Sequence, residues 1–197
     1  MRRSLQLAAA SMVVVLTACV GRPTHVTTTW RDPAAGRTRF HKVAVFFVGD
    51  DANLRQRIED RLASRIPSAV ASHNLLFDEQ LAAPDTQSIR SVLVASGCDG
   101  VVVLRLVSVE TQSGGEATAP GSSPAGDLWD YLRRTPRSAL TPGSGTVITM
   151  ESRVYAVSDP RLLWAGHSQS FNPLSLKELV DRIVDSSADE LRRQGLI

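Results

Sequence analysis

Two cysteines, four histidines, an acidic pair and an aromatic–arginine cluster are the side chains in this sequence with chemistry to offer. Cys19 closes the run Leu16-Thr17-Ala18-Cys19. Cys98 lies in Ser96-Gly97-Cys98-Asp99-Gly100, just ahead of a very apolar stretch. It reads as a small buried core residue, or in a sharper reading as a catalytic thiol, although no histidine lies near it in the sequence to activate it. His25, His41, His73 and His167 include no pair at the i, i+4 spacing of a helical zinc site, and no His-Glu-x-x-His occurs. They read as surface or hydrogen-bonded structural histidines. There is no Gly-x-Ser-x-Gly elbow, and Gly114-Gly115 lacks the lysine and helix of a phosphate-cradling loop. Asp50-Asp51 could hold a cation, but a helix amino terminus favours acidic residues in any case. No catalytic residue, metal ligand or cofactor is therefore assigned. The remaining candidate is Trp129 and Tyr131, followed by Arg133, Arg134 and Arg137. Trp, Tyr and Arg supply most of the anchoring energy at protein interfaces, so these residues are expected to contact a partner. The alternative is that they pin their own loop onto the domain.

The elements around these residues follow from periodicity. Val26–Trp30 is β-rich. Val43–Val48 is continuously apolar, as in a strand covered on both faces. Leu54, Ile58, Leu62 and Ile66 recur every four residues as a helical stripe that Pro67 stops. Ala69–Ser72 reads as a short strand. Pro84-Asp85 opens a second helix, with Ile89, Val92 and Leu93 on one face and Gly97 placed to end it. Val101–Val109 is the second central strand. Residues 111–145 break the pattern: Gly, Ser, Pro, Thr and Ala fill 23 of these 35 positions, the composition of a flexible insertion. Thr146–Val157 alternates, with Ile148, Met150, Val154 and Ala156 on one side and Thr149, Glu151, Arg153 and Tyr155 on the other. Ser158-Asp159-Pro160-Arg161 turns it into Leu162–Ser170, forming an antiparallel hairpin. Trp30 and Trp164 fall in strand contexts and read as packing residues. In the last helix Ser175 and Glu178 form a capping box, Leu174 and Leu179 are placed for a hydrophobic staple, and Gly195 closes it. This order predicts an α/β (α+β) fold: one mixed sheet with about three helices packed on it.

Met1-Arg2-Arg3 followed by the apolar run Leu5–Leu16 matches a secretory signal, and the run is short for a permanent span, which needs about 20 residues. Leu16-Thr17-Ala18-Cys19 resembles the lipobox of bacterial lipoproteins. In that family a peptidase cuts before the cysteine and the thiol carries a diacylglyceryl group. The resemblance implies cleavage between Ala18 and Cys19 and lipid, such as palmitate, on Cys19. Small side chains at 17 and 18 suit a narrow protease groove. Val20 in place of Asp implies outer-membrane sorting. The expected organisation is a signal peptide at 1–18, a lipidated tether at 19–24 and a periplasmic domain at 25–197. With Cys19 lipidated, Cys98 has no partner for a disulfide. Arg2 and Arg3 lie in the cleaved segment, so the mature chain carries 20 basic and 20 acidic residues. That balance, with scattered arginines, argues against nucleic-acid binding.

Most of residues 25–197 resembles a group of bacterial lipoproteins with small periplasmic α/β domains. The residues that carry it are Thr29-Trp30-Arg31-Asp32-Pro33, Phe40-His41-Lys42-Val43-Ala44-Val45, Cys98-Asp99-Gly100-Val101-Val102-Val103, Val154-Tyr155-Ala156-Val157 with Leu163-Trp164-Ala165-Gly166, and Gln194-Gly195-Leu196-Ile197. A more distant resemblance is to the TolB amino-terminal domain and the curli secretion lipoprotein, where a strand, a helix and an apolar strand after an Asp-Gly turn recur. It implies a non-catalytic envelope interaction or assembly module with an envelope protein as partner. The alternative is a small-molecule or lipid-binding accessory of a transport system, which predicts a large apolar pocket. An enzyme, with a cleft where His73 or His167 meets a carboxylate and a nucleophile, stands third.

Overall fold

The computed structural model describes residues 24–35, 38–77, 80, 85–111, 127–132 and 145–197. In chain order these form β1 (His25–Arg31), β2 (Val43–Val48), α1 (Ala52–Ala63), β3 (Ala69–Ala71), α2 (Thr86–Ala95), β4 (Gly100–Thr111), α3 (Leu128–Leu132), β5 (Thr146–Ala156), β6 (Leu162–Phe171) and α4 (Leu176–Arg193). The strands make one six-stranded mixed sheet in the order β1-β6-β5-β4-β2-β3. β2 runs parallel to both β3 and β4, and the other pairs are antiparallel. This is the mixed α/β sheet that the order of elements predicts, with three long helices. The five-residue α3 was not expected and lies within the 111–145 insertion.

Each long helix starts where a short polar side chain satisfies a free backbone donor. Asp51 accepts from the Leu54 N–H at 3.0 Å, Asp85 from Ser88 at 3.0 Å and Ser175 from Glu178 at 3.1 Å. Gly97 and Gly195 leave α2 and α4 with φ of 72° and 69°, the left-handed exit that only glycine adopts without strain. α1 stops at Ala63, four residues before Pro67, and Ile66 still packs in the core from the turn. The staple is a correction. Leu174 is 90% exposed and does not pack against buried Leu179. Its N–H is instead held by the Glu178 carboxylate at 2.9 Å.

Helices cover both faces of the sheet. α1 and α4 press Ile58, Leu62, Ile183 and Leu191 onto Val45, Val102, Met150 and Trp164. α2 and α3 press Ile89, Leu93, Leu128 and Tyr131 onto Phe46, Val101, Val103 and Tyr155 on the other face. Period-two alternation therefore sorts the side chains of β2, β4 and most of β5 between two interiors, whereas Gln169 toward the end of β6 is exposed. Gly100 shows how tight the joints are: a Cβ there would lie 2.4 Å from the Phe40 ring.

One polar side chain ties the α1 layer together. Glu59 is fully buried on α1. Its carboxylate accepts from the Phe47 N–H at 2.9 Å, the Ser72 hydroxyl at 2.8 Å and the His73 N–H at 3.2 Å, and lies 3.0 Å from His73 Nδ1. His73 Nε2 is 3.1 Å from Asp60, so the imidazole is clamped between two carboxylates of one helix. Removing the Glu59 carboxylate strands several buried donors at once. We expect Glu59→Ala to lower unfolding free energy by about 3 kcal/mol. A urea titration with an unmoved midpoint would show that these hydrogen bonds do not hold the layer.

Candidate functional site

The most charged interior lies on the α2–α3 face, at mid-length of the central strands. Residue register sets it up: Glu151 on β5 stands opposite Arg105 on β4 and His167 on β6. Arg153 and Tyr155 follow Glu151 on the same side of β5, and α3 lowers Tyr131 onto them. The Tyr131 hydroxyl donates to Glu151 Oε2 at 2.6 Å. Arg153 Nη2 is 2.9 Å from Glu151 Oε1, and His167 Nε2 approaches that oxygen at 3.4 Å. The guanidiniums of Arg153 and Arg105 lie 4.2 and 5.0 Å from the Tyr131 ring centroid, within cation–π range. Tyr155 packs its ring 6.3 Å from that of Tyr131.

Glu151 and the two phenols keep one protonation state over the neutral range. Burial alone would raise the Glu151 carboxyl. His167, the Tyr131 hydroxyl and Arg153 outweigh it and hold the group at about 2, against 4.5 ordinarily. Burial, then the charge of Glu151, push the Tyr131 phenol well above 10 in spite of Arg153 and Arg105. Burial takes Tyr155 to about 12 in spite of Arg153. A general base works best with a pKa near the operating pH. Here the carboxylate is ionised and both phenols neutral, an arrangement that locks α3 onto the sheet.

The other polar centres are joints of the same kind. Asp99, in the Asp-Gly turn before β4, accepts from the N–H groups of His41 and Lys42 at 2.9 and 3.0 Å and lies 2.9 Å from His41 Nδ1. Burial would raise its carboxyl; the backbone N–H groups of His41 and Lys42 and the His41 ring bring it below the ordinary range. Cys98 is buried beside it. Burial raises its thiol, Lys42 lowers it and Asp99 raises it, for a net rise that disfavours thiolate. Among the described residues, no three His, Cys, Asp or Glu side chains are grouped to hold a metal ion, and no helix is long and apolar enough to cross a membrane.

The aromatic candidates are the main correction. Trp129 and Tyr131 are 6% and 1% exposed. Both belong to the core under α3, so they pin the insertion to the domain and are not offered to a partner. Arg133, Arg134, Ala18 and Cys19 lie outside the described residues. Trp30 and Trp164 pack in the interior as expected. Arg105, Glu151, Arg153 and His167 were missed as a group. One signal was available: Arg105 interrupts an otherwise apolar strand, and a half-buried arginine needs company.

The fold and its sites thus define a doubly covered mixed-sheet α/β domain whose charged interior groups are engaged with one another. No family model matches the chain, and no curated protein matches it. Among solved structures, a point variant of the PelC dodecamer from Paraburkholderia phytofirmans is 12% identical, with a TM-score of 0.45 over 84% of this chain and 96% of that one. The PelC dodecamer in a second crystal form is also 12% identical, with a TM-score of 0.44 over 88% and 97%. Lipoprotein GNA1162 from Neisseria meningitidis is 13% identical, with a TM-score of 0.35 over 77% and 98%.

Two measurements check the network. Tyr131→Phe removes a hydrogen bond to a buried carboxylate and should cost about 2 kcal/mol, with hydrogen exchange rising in α3 before the rest of the chain. Uniform exchange would mean that the bond does not hold the helix. Because the folded Glu151 value is depressed, the unfolded chain takes up the proton first. Its contribution is complete above about pH 4.5 and is lost as pH falls toward 2, about 3 kcal/mol in all. Glu151→Gln should flatten that acid limb of the stability profile.

Proposed function

We propose that this chain is a bacterial envelope lipoprotein, cut between Ala18 and Cys19 and anchored by lipid on Cys19, whose domain is a non-catalytic interaction or assembly module. The observation that carries it is the series of charged start, apolar run and Leu16-Thr17-Ala18-Cys19, with β1 beginning only six residues past the cysteine. Val20 favours the outer membrane and a domain facing the periplasm. Two acyl chains would hold the protein stably, at about 0.8 kcal/mol per buried CH₂, where one would not. The non-catalytic reading draws support from the interior: Glu59 and Asp99 are occupied by donors of their own domain, and Glu151 accepts from Tyr131 and lies beside Arg153. The accessory reading looks for a large apolar pocket. Two open depressions of mixed polar and apolar lining are present among the described residues, one of about 340 Å³ between β1, β5 and β6 that includes His25, Thr149 and Phe171, and one of about 390 Å³ that includes Phe40, Val43 and Ile197. The partner is an envelope protein, and the charge balance argues against nucleic acid.

Labelled palmitate and mass spectrometry of the mature protein test the anchor. The wild-type chain should incorporate label and fractionate with membranes, and Cys19→Ala should do neither. Equal labelling of both, or of neither, overturns the proposal.

A further inference from the structure

The strand register places several termini at one end of the sheet. Thr24, just before β1, is buried with its hydroxyl 2.9 Å from that of Ser170 near the end of β6. β5 begins at the same end, since Val147 pairs with Phe171 and Thr146 accepts from the Asn172 N–H. β4 finishes there, with Thr111 opposite Thr146, six residues beyond the last β2 partner at Arg105. Among the described residues the tip is made by β1, β6, β5 and β4, together with the loop from Phe171 to α4.

That loop is built to hold one apolar side chain outward. Asn172 adopts a left-handed φ of 47°, and its carboxamide oxygen accepts from the Gly145 N–H at 2.7 Å. Pro173 is buried. Leu174 then gives its N–H to Glu178 and leaves its side chain 90% exposed, where a staple onto Leu179 would have hidden it. Single exposed leucines are common on protein surfaces. What distinguishes this one is its hydrogen-bonded backbone and its place beside the entry of the chain.

Resting on the lipid anchor proposed above, we infer that this tip is the membrane-facing end of the domain and that Leu174 enters the interfacial layer of the bilayer. From Cys19 to Thr24 the chain can span about 17 Å at full extension. Thr24 is buried against β6, so the tether cannot lengthen by peeling β1 without losing sheet pairing. The tip is thereby held within a short distance of the lipid surface, and an outward leucine there gains from leaving water. β4, at 12 residues, sets the opposite end of the sheet about 36 Å farther out. The hairpin turn at Ser158 lies at that far end, because Ala156 pairs with Gly100.

The test uses the lipidated protein in vesicles of phosphatidylethanolamine and phosphatidylglycerol. A polarity-sensitive fluorophore is attached at Leu174→Cys or at the exposed Ser158→Cys, each with Cys98→Ser, and quenched by spin-labelled lipid. The label at 174 should shift to the blue and be quenched several-fold more than that at 158. Equal quenching in vesicle-bound, Cys19-acylated protein overturns the orientation and leaves the anchor intact. A blue shift at 174 without lipid quenching also overturns it, showing that protein covers the tip. Absence of acyl groups from Cys19 removes anchor and orientation together.

Discussion

A carboxylate taken out of water loses several kcal/mol of solvation, and only close charge and hydrogen bonds can replace it. Glu151 meets that demand with groups from three places: a phenol from α3, a guanidinium from its own strand and an imidazole from β6. The rest of the α3 side depends on this pairing. Without Glu151 the Tyr131 hydroxyl would be an unpaired buried donor, and the guanidiniums of Arg105 and Arg153 would share the Tyr131 ring with no carboxylate beside them. The short helix α3 makes too few turns to hold itself. It stays because Tyr131 and Trp129 are buried and the hydroxyl is paired.

The opposite layer solves the same problem with Glu59, using donors from the backbone of β2 and from the turn after β3. Together the two glutamates give the domain a polar fastener on either side of one sheet. Both are ordinary surface residue types placed where helices close over them. Asp99 does similar work at the edge, joining the start of β2 to the turn into β4 through backbone donors. Stability of this fold is therefore tied to buried carboxyl groups, and acid weakens it through Glu151.

Elements with a strong local pattern were legible in the sequence. α4 carries its cap, its apolar face and its closing glycine within twenty residues, and β2 and β4 announce themselves as strands covered on both sides. The polar face of β5 was legible only as an alternation. Nothing local says that a second helical layer lies over Glu151 and Arg153, because α3 spans only five residues and comes from an insertion whose composition reads as loop. For the same reason Trp129 and Tyr131 looked available when they are core. Leu174 failed in the other direction. Its spacing to Leu179 fits a staple, but the left-handed Asn172 and the buried Pro173 aim it away, and backbone direction is not encoded in spacing.

Among the described residues the first strand has its only strand partner in the last. Thr24 and Ser170 stand 146 residues apart, and β1 pairs with nothing but β6. Closing so long a loop is entropically costly and slow relative to local contacts. A chain emerging amino end first thus cannot secure the segment nearest its start until nearly everything else has been delivered. Such wiring makes β1 a late joiner and completes the sheet only when its final hairpin arrives.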